Sequence, residues 1–188
     1  VLNALAVSSV TALAGVDTDA VIDGLNAFNG VEGRLEKIVD KDITIYVDYA
    51  HTPDGLEKVL STLKPLAKGK LICVFGCGGN RDSDKRRKMG AISGKIADFT
   101  VVTTDNPRYE EPMDIISEIE KGVLKNTKNY VLIEKRKDAI EYAINYAKGG
   151  DVILIAGKGG EKYQEVLGIK HLYNDKDTVE ELLRGKGN

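Results

Sequence analysis

Phe99-Thr100-Val101-Val102-Thr103-Thr104-Asp105-Asn106-Pro107-Arg108 is the stretch on which the fold turns. Its first five residues are a short apolar run that reads as a buried strand. Pro107 stops the strand by removing a ladder donor. A carboxylate, an amide and a guanidinium are thereby held together at a strand's carboxyl end, where open α/β sheets place their ligands. The group offers both charge signs with a neutral donor and acceptor, as a zwitterionic ligand requires. Read alone, the tetrapeptide also fits an Asx-turn followed by a surface arginine.

Outward from this strand the chain alternates. Strands are expected at Leu71–Phe75, 130–133 and Val152–Ala156, and helices at about 83–97, 112–125 and 137–148. The four strands are continuous apolar runs, the pattern of a parallel sheet covered on both faces. Upstream, strands at 35–39 and 43–47 flank the turn Asp40-Lys41-Asp42. The second alternates Ile43, Ile45 and Val47 with polar residues, so it is half-buried. A helix follows with Thr52 as N-cap and Pro53 at its first position. Its Leu56, Val59, Leu60 and Leu63 fall on one face. Downstream, a short helix near 161–167, a β segment at 169–173 and a final helix at about 176–184 are expected. The fold class is α/β: a Rossmann-like open, mostly parallel sheet with helices on both faces.

Two helices precede this domain, at 1–14 and 18–28, the first ended by Gly15 and the second capped by Asp17 or Thr18. The glycine-bearing segment Asn29-Gly30-Val31-Glu32-Gly33 reads as a linker, dividing the chain into 1–32 and 33–188. The chain starts at Val1 inside an apolar helical pattern and reads as a piece of a longer protein.

The 188 residues carry a net charge of -2, with 42% apolar and 30% charged side chains. That balance is ordinary for a globular protein and implies no general affinity for nucleic acid or anionic membrane. No apolar run approaches the ~20 residues of a membrane span, and no signal peptide is read. Two cysteines, Cys73 and Cys77, make no disulfide framework, which fits a reducing, cytoplasmic setting. His51 and His171 are too far from them in sequence to suggest a zinc site, and no metal ligand set is expected.

Parallel strands share a direction, so the loops after them line one edge. Four such loops are rich in chemistry: Asp48-Tyr49-Ala50-His51-Thr52-Pro53-Asp54, Gly76-Cys77-Gly78-Gly79-Asn80-Arg81-Asp82, the tetrapeptide, and Gly157-Lys158-Gly159-Gly160-Glu161. The second fails the dinucleotide pattern G-x-G-x-x-G, because Arg81 stands at the third glycine. Its amides and Arg81 still suit an anion, which Asp82 and Asp84 oppose. The fourth is not a P-loop, and none exists in the sequence. Glu161 either binds an ammonium group or favours a helix N-terminus as a first-turn carboxylate. Lys85-Arg86-Arg87-Lys88 reads as a solvated helix face, and His51 as a capped turn histidine.

These loops together with Gly33-Arg34-Leu35-Glu36 closely resemble the Mur ligases, over nearly the whole chain. The resemblance implies the tail of the central ATP-binding domain followed by the complete carboxyl-terminal domain. Their order and spacing look like the branch that adds the third residue of the cell-wall peptide stem. Within it, Asp105-Asn106-Pro107-Arg108 implies meso-diaminopimelate rather than lysine, added to UDP-N-acetylmuramoyl-L-alanyl-D-glutamate through an acyl phosphate made from ATP. The resemblance assigns Arg81, Asp105, Asn106, Arg108, Gly157 and Glu161 to diaminopimelate, with Gly157 (through its carbonyl) and Glu161 on the distal ammonium. It assigns Arg34 and Asp48, with His51 in the same loop, to the nucleotide. It implies that ATP and Mg2+ are held mainly by upstream domains of the same chain, and that no catalytic residue lies in this segment. One departure is Gly160, where the family usually has histidine, which removes a side chain beside the substrate pocket. Other readings are a lysine-adding, cyanophycin-type, folylpolyglutamate-type or archaeal-wall ligase, and a non-catalytic amino-acid-binding module.

Overall fold

The computed structural model describes residues 2–28 and 30–185; Val1 and Asn29, which belong to the expected first helix and linker, lie outside the described residues. The chain divides into two compact units, Val1–Val31 and Glu32–Asn188.

The first unit is a helical pair, α1 (Leu2–Leu13) and α2 (Thr18–Ala27). Gly15 ends α1 at φ 77°, with the Val16 and Gly15 amides donating to Thr11 O and Ala12 O. This is the crossed bonding that a left-handed glycine allows at a helix end. Asp17 caps α2, its side chain accepting from Asp19 N at 2.9 Å.

Among the described residues the second unit holds a six-stranded sheet, a two-stranded hairpin and five α-helices. In chain order these are β1 (Glu36–Asp40), β2 (Ile43–Asp48), α3 (Pro53–Leu63), β3 (Leu71–Phe75), α4 (Asp84–Ile96), β4 (Phe99–Val102), α5 (Pro112–Val123), β5 (Tyr130–Leu132), α6 (Arg136–Tyr146), β6 (Val152–Ala156), the hairpin β7 (Tyr163–Val166) and β8 (Ile169–Leu172), and α7 (Asp175–Gly185). Across the sheet the order is β1-β2-β6-β3-β4-β5. Only the β1–β2 pair is antiparallel; the rest of the sheet is parallel.

Continuous apolar strands are required because successive residues feed different cores. Leu71, Cys73 and Phe75 of β3, with Leu154 and Ala156 of β6, pack beneath α3, α4 and α5. Ile72 and Val74, with Ile153 and Ile155, pack against α6 and α7. Helices α4 and α5 cross at glycine: a Cβ on Gly90 would lie 2.1 Å from Ile119 O, and one on Gly122 2.1 Å from Arg87 O.

Three expectations are corrected. Residues 161–167 are not a short helix; Tyr163–Val166 is strand β7, paired antiparallel with β8 outside the main sheet. Leu167 and Gly168, at φ 50° and 78°, make the two-residue turn, the backbone that suits a right-twisted hairpin. A parallel bridge between Arg108 and Val166 anchors β7, a long-range contact that overrides local helical preference. Strand β5 is half-buried rather than enclosed, because it lies at the sheet's edge. Arg86 is not on a solvated face. Its side chain is 5% exposed, and Nη1 and Nη2 pair with Glu118 at 3.0 Å and Glu110 at 2.8 Å.

Candidate functional site

Strand order places the loops after β2, β6, β3 and β4 on four adjacent strands. Together they wall a cleft of about 580 Å³ at the carboxyl edge of the sheet. Arg81, Asp105, Asn106, Arg108, Gly157, Glu161 and His51 all line it. Arg34 and Asp48 do not.

The loop after β2 is built around Asp48. Its carboxylate accepts from Leu35 N and Ala50 N, each at 2.8 Å. Both oxygens are thus engaged in fixing the chain's turn toward α3 rather than aimed into the cleft. Arg34 lies with its guanidinium carbon 4.6 Å from the ring centroid of Tyr49, within cation–π range. His51 Nδ1 lies 2.9 Å from Tyr49 O. A carbonyl only accepts, so Nδ1 carries the proton. Thr52 Oγ1 accepts from Gly55 N at 3.1 Å and caps α3, with Pro53 next.

The glycine loop after β3 lies directly on the tetrapeptide. Gly79 N donates to Asn106 O at 2.9 Å. A Cβ on Gly79 would sit 1.9 Å from Pro107 O, and one on Gly76 2.2 Å from Thr103 O. These glycines permit backbone-to-backbone approach, and the approach brings Arg81 beside Arg108. Arg81 is exposed and makes no ion pair among the described residues, whereas Lys85, one turn further on, donates to His51 O at 3.0 Å. Cys77 reaches the cleft wall only 3% exposed. Burial pushes its thiol up to about 12, and that of Cys73 likewise, so neither is a nucleophile at neutral pH.

Arg108 adopts φ 53°. Its backbone is bracketed by the hairpin, with Arg108 N donating to Glu165 O and Leu167 N to Arg108 O. Its side chain is held by Glu165 Oε2, 3.1 Å from Nε, and by Gly79 O, 2.8 Å from Nη1. Gln164 Nε2 donates to Asp105 O at 2.7 Å. The hairpin therefore clamps the tetrapeptide from outside, and Tyr163 adds to the cleft wall.

Glu161 is not a bare carboxylate waiting for an ammonium. Its Oε2 accepts from Lys158 Nζ and from Asn106 Nδ2, both at 3.0 Å. Lys158, whose side chain is fully buried, also donates to Asn106 Oδ1 at 2.9 Å, which accepts from Glu165 N as well. Gly157, at φ 115°, keeps space beside Asp105: a Cβ there would stand 2.7 Å from Asp105 Oδ2. Gly160, expected beside the pocket, is not among the residues that line the cleft. Its nearest neighbour in the Cβ direction is Glu32 O at 3.3 Å.

Sequence reasoning thus missed Tyr49, Lys85, Lys158, Tyr163 and Glu165. A lysine isolated between Gly157 and Gly159 was the one available signal. Tyr163 and Glu165 were hidden by the helical reading of their segment. Among the described residues no group of three or more His, Cys, Asp or Glu is set to hold a metal ion. No helix among them is long and apolar enough to cross a membrane.

Residues 33–159 match the family model described as Mur ligase, glutamate ligase domain. A relative from Clostridioides difficile, named UDP-N-acetylmuramoyl-L-alanyl-D-glutamate–2,6-diaminopimelate ligase, is 47% identical over 97% of this chain and 38% of its own length. One of the same name from Syntrophomonas wolfei is 48% identical over 99% of this chain and 38% of its own. A solved structure of that name superposes with a TM-score of 0.80 at 36% identity, covering 98% of this chain and 38% of that one. The chain thus spans well under half the length of the relatives it matches.

Proposed function

This chain belongs to the Mur ligase family through its glutamate ligase domain, and from that premise we propose that it is the amino-acid-binding end of an ATP-dependent amide ligase. The longer protein would add meso-diaminopimelate to UDP-N-acetylmuramoyl-L-alanyl-D-glutamate in the cytoplasm, for peptidoglycan. Residues 1–32 would be the tail of its central domain, and 33–188 its carboxyl-terminal domain.

The observation that carries this reading is the convergence of Arg81, Arg108 and Glu161, from three separate loops, on one cleft. Guanidinium matches carboxylate geometry bidentately. A ligand with a carboxylate at each end suits two arginines, whereas lysine offers only one such group. Asn106 and Asp105 would complete the polar wall, with Gly157 O and Glu161 Oε1 toward the distal ammonium. Holding both ends would present the other amine at a fixed angle, which converts an encounter into a positioned attack. ATP would supply the activated acyl group of the D-glutamate. The chain has no P-loop, so the phosphates and Mg2+ would be held by the rest of the longer protein. Arg34, whose guanidinium lies over the Tyr49 ring, would meet the nucleotide from this side. Asp48 would serve it indirectly by fixing that loop.

An NMR titration of the chain with meso-diaminopimelate and with lysine tests the reading. Diaminopimelate is expected to bind more tightly, and Arg108→Ala to lose about 1.5–3 kcal/mol of that affinity. Lysine binding as well as diaminopimelate in the unmutated chain would overturn it.

A further inference from the structure

The Lys158 side chain is fully buried behind the cleft wall, in contact with Asn106 and Glu161, which line the cleft. Burying a cation is costly unless direct partners compensate it. Lys158 has two hydrogen-bond partners, Asn106 Oδ1 at 2.9 Å and Glu161 Oε2 at 3.0 Å, and lies 5.7 Å from the centroid of the Tyr163 ring. The same Glu161 oxygen also accepts from Asn106 Nδ2. Two consequences follow. Oε2 is saturated by protein donors, leaving Oε1 for a ligand. The unit charge of Glu161 is also offset before any ligand arrives. At Glu161 an entering ammonium therefore meets a neutralised pair rather than a free anion, although Asp82 and Asp105 also line the cleft. A side chain ending in an ammonium alone gains little there. One ending in both an ammonium and a carboxylate still gains from Arg81, which makes no ion pair among the described residues, whereas Arg108 is already paired with Glu165.

We propose that Lys158 is a specificity-determining positioning residue, whose built-in ammonium lowers the cleft's attraction for a lone side-chain ammonium and so favours a distal end that also carries a carboxylate. This rests on the diaminopimelate reading given above. Lys158→Met removes the charge at similar length and leaves Glu161 24% exposed, able to draw on water. Removing the cation that offsets Glu161 is expected to narrow the preference for meso-diaminopimelate over lysine by roughly tenfold, mainly by tightening lysine.

The test is the ratio of the two dissociation constants, measured by NMR titration on the full chain. Lys158→Arg is expected to keep the ratio. Lys158→Met combined with Glu161→Gln is expected to lose the gain in lysine affinity. Should Lys158→Met fail to fold, Lys158→Gln carries the same expectation. A folded variant that weakens both ligands equally, so that the ratio stands, overturns the proposal and leaves Lys158 a structural prop. An unmutated chain with no preference at all overturns the diaminopimelate reading instead.

Discussion

Arg136 and Lys158 are both fully buried cations, and they are held in opposite ways. Arg136 opens α6 and pairs bidentately with Asp175 at the start of α7, Nε and Nη2 each 2.8 Å from a carboxylate oxygen. Nη2 also reaches Ala156 O at the end of β6. Both side chains of this pair are 0% exposed. Burial works against the charge on Arg136, but the Asp175 carboxylate overrides it and raises the guanidinium pKa above its ordinary value. The pair is a sealed pin joining three elements. Lys158 has the same desolvation to overcome, yet its carboxylate partner opens onto the cleft. The difference teaches where charge is structural and where it can act. A pair closed on both sides can only hold the fold. A pair closed on one side sets the potential that a ligand meets.

The largest expected effect tests the sealed side. Asp175→Ala leaves the buried guanidinium uncompensated and should cost about 3–5 kcal/mol of stability, read as a lower urea midpoint at unchanged slope. A cost under about 1 kcal/mol would erase the contrast. Glu161→Ala strands Lys158 with Asn106 alone. Water can enter from the cleft, so the expected cost is smaller, about 2 kcal/mol by the same measurement.

A surface pair supplies the baseline. Glu36 accepts from Gly33 N at 2.8 Å and from Lys176 Nζ at 2.7 Å. Partial burial raises its pKa, but those two bonds outweigh it and the net shift is downward from 4.5. The ionised form is thus favoured by folding. The resulting stability is full above about pH 4.5 and fades as pH falls through the depressed native value. Glu36→Gln should flatten this part of the acid-unfolding curve, at a neutral-pH cost of at most about 1 kcal/mol. An unchanged acid limb would show that the pair contributes nothing. The smallest effect is expected from Gly160→His. The residue is not in the left-handed region and its nearest neighbour is Glu32 O at 3.3 Å. Stability and diaminopimelate affinity should both stay within about 0.5–1 kcal/mol of the starting chain. A larger loss would mean that the side chain turns back into the cleft.

Much of the fold was legible because its signals are local. The enclosed strands Leu71–Phe75 and Val152–Ala156 were read at their observed bounds, since a strand buried on both faces must be apolar throughout. Thr52 and Pro53 announced the start of α3 by capping chemistry. The β segment expected at 169–173 is β8, but its partner β7 was misread as a helix because Leu167-Gly168 is a weak turn signal and its anchor, Arg108, lies far away in sequence. Arg86 was misread because a charged run looks solvated until Glu110 and Glu118 arrive from other elements. All six residues assigned to diaminopimelate, and His51, line the cleft because each sits in a loop directly after a parallel strand. Arg34 and Asp48 did not, since one stacks on Tyr49 and the other turns to backbone amides.

The amino-acid sequence alone determined the α/β class, the enclosed strands, the loops that follow them and the residue types those loops carry. Periodicity, capping and glycine placement act within a few residues, and a chain displays them openly. Only the tertiary structure decided that β6, late in the chain, inserts between β2 and β3. That single pairing makes four distant loops adjacent and brings Glu161 and Lys158 to Asn106. Strand pairing joins segments about a hundred residues apart, through backbone hydrogen bonds that all residues but proline offer alike. No local pattern encodes which segments meet, and so the charge balance of the cleft was settled by the fold.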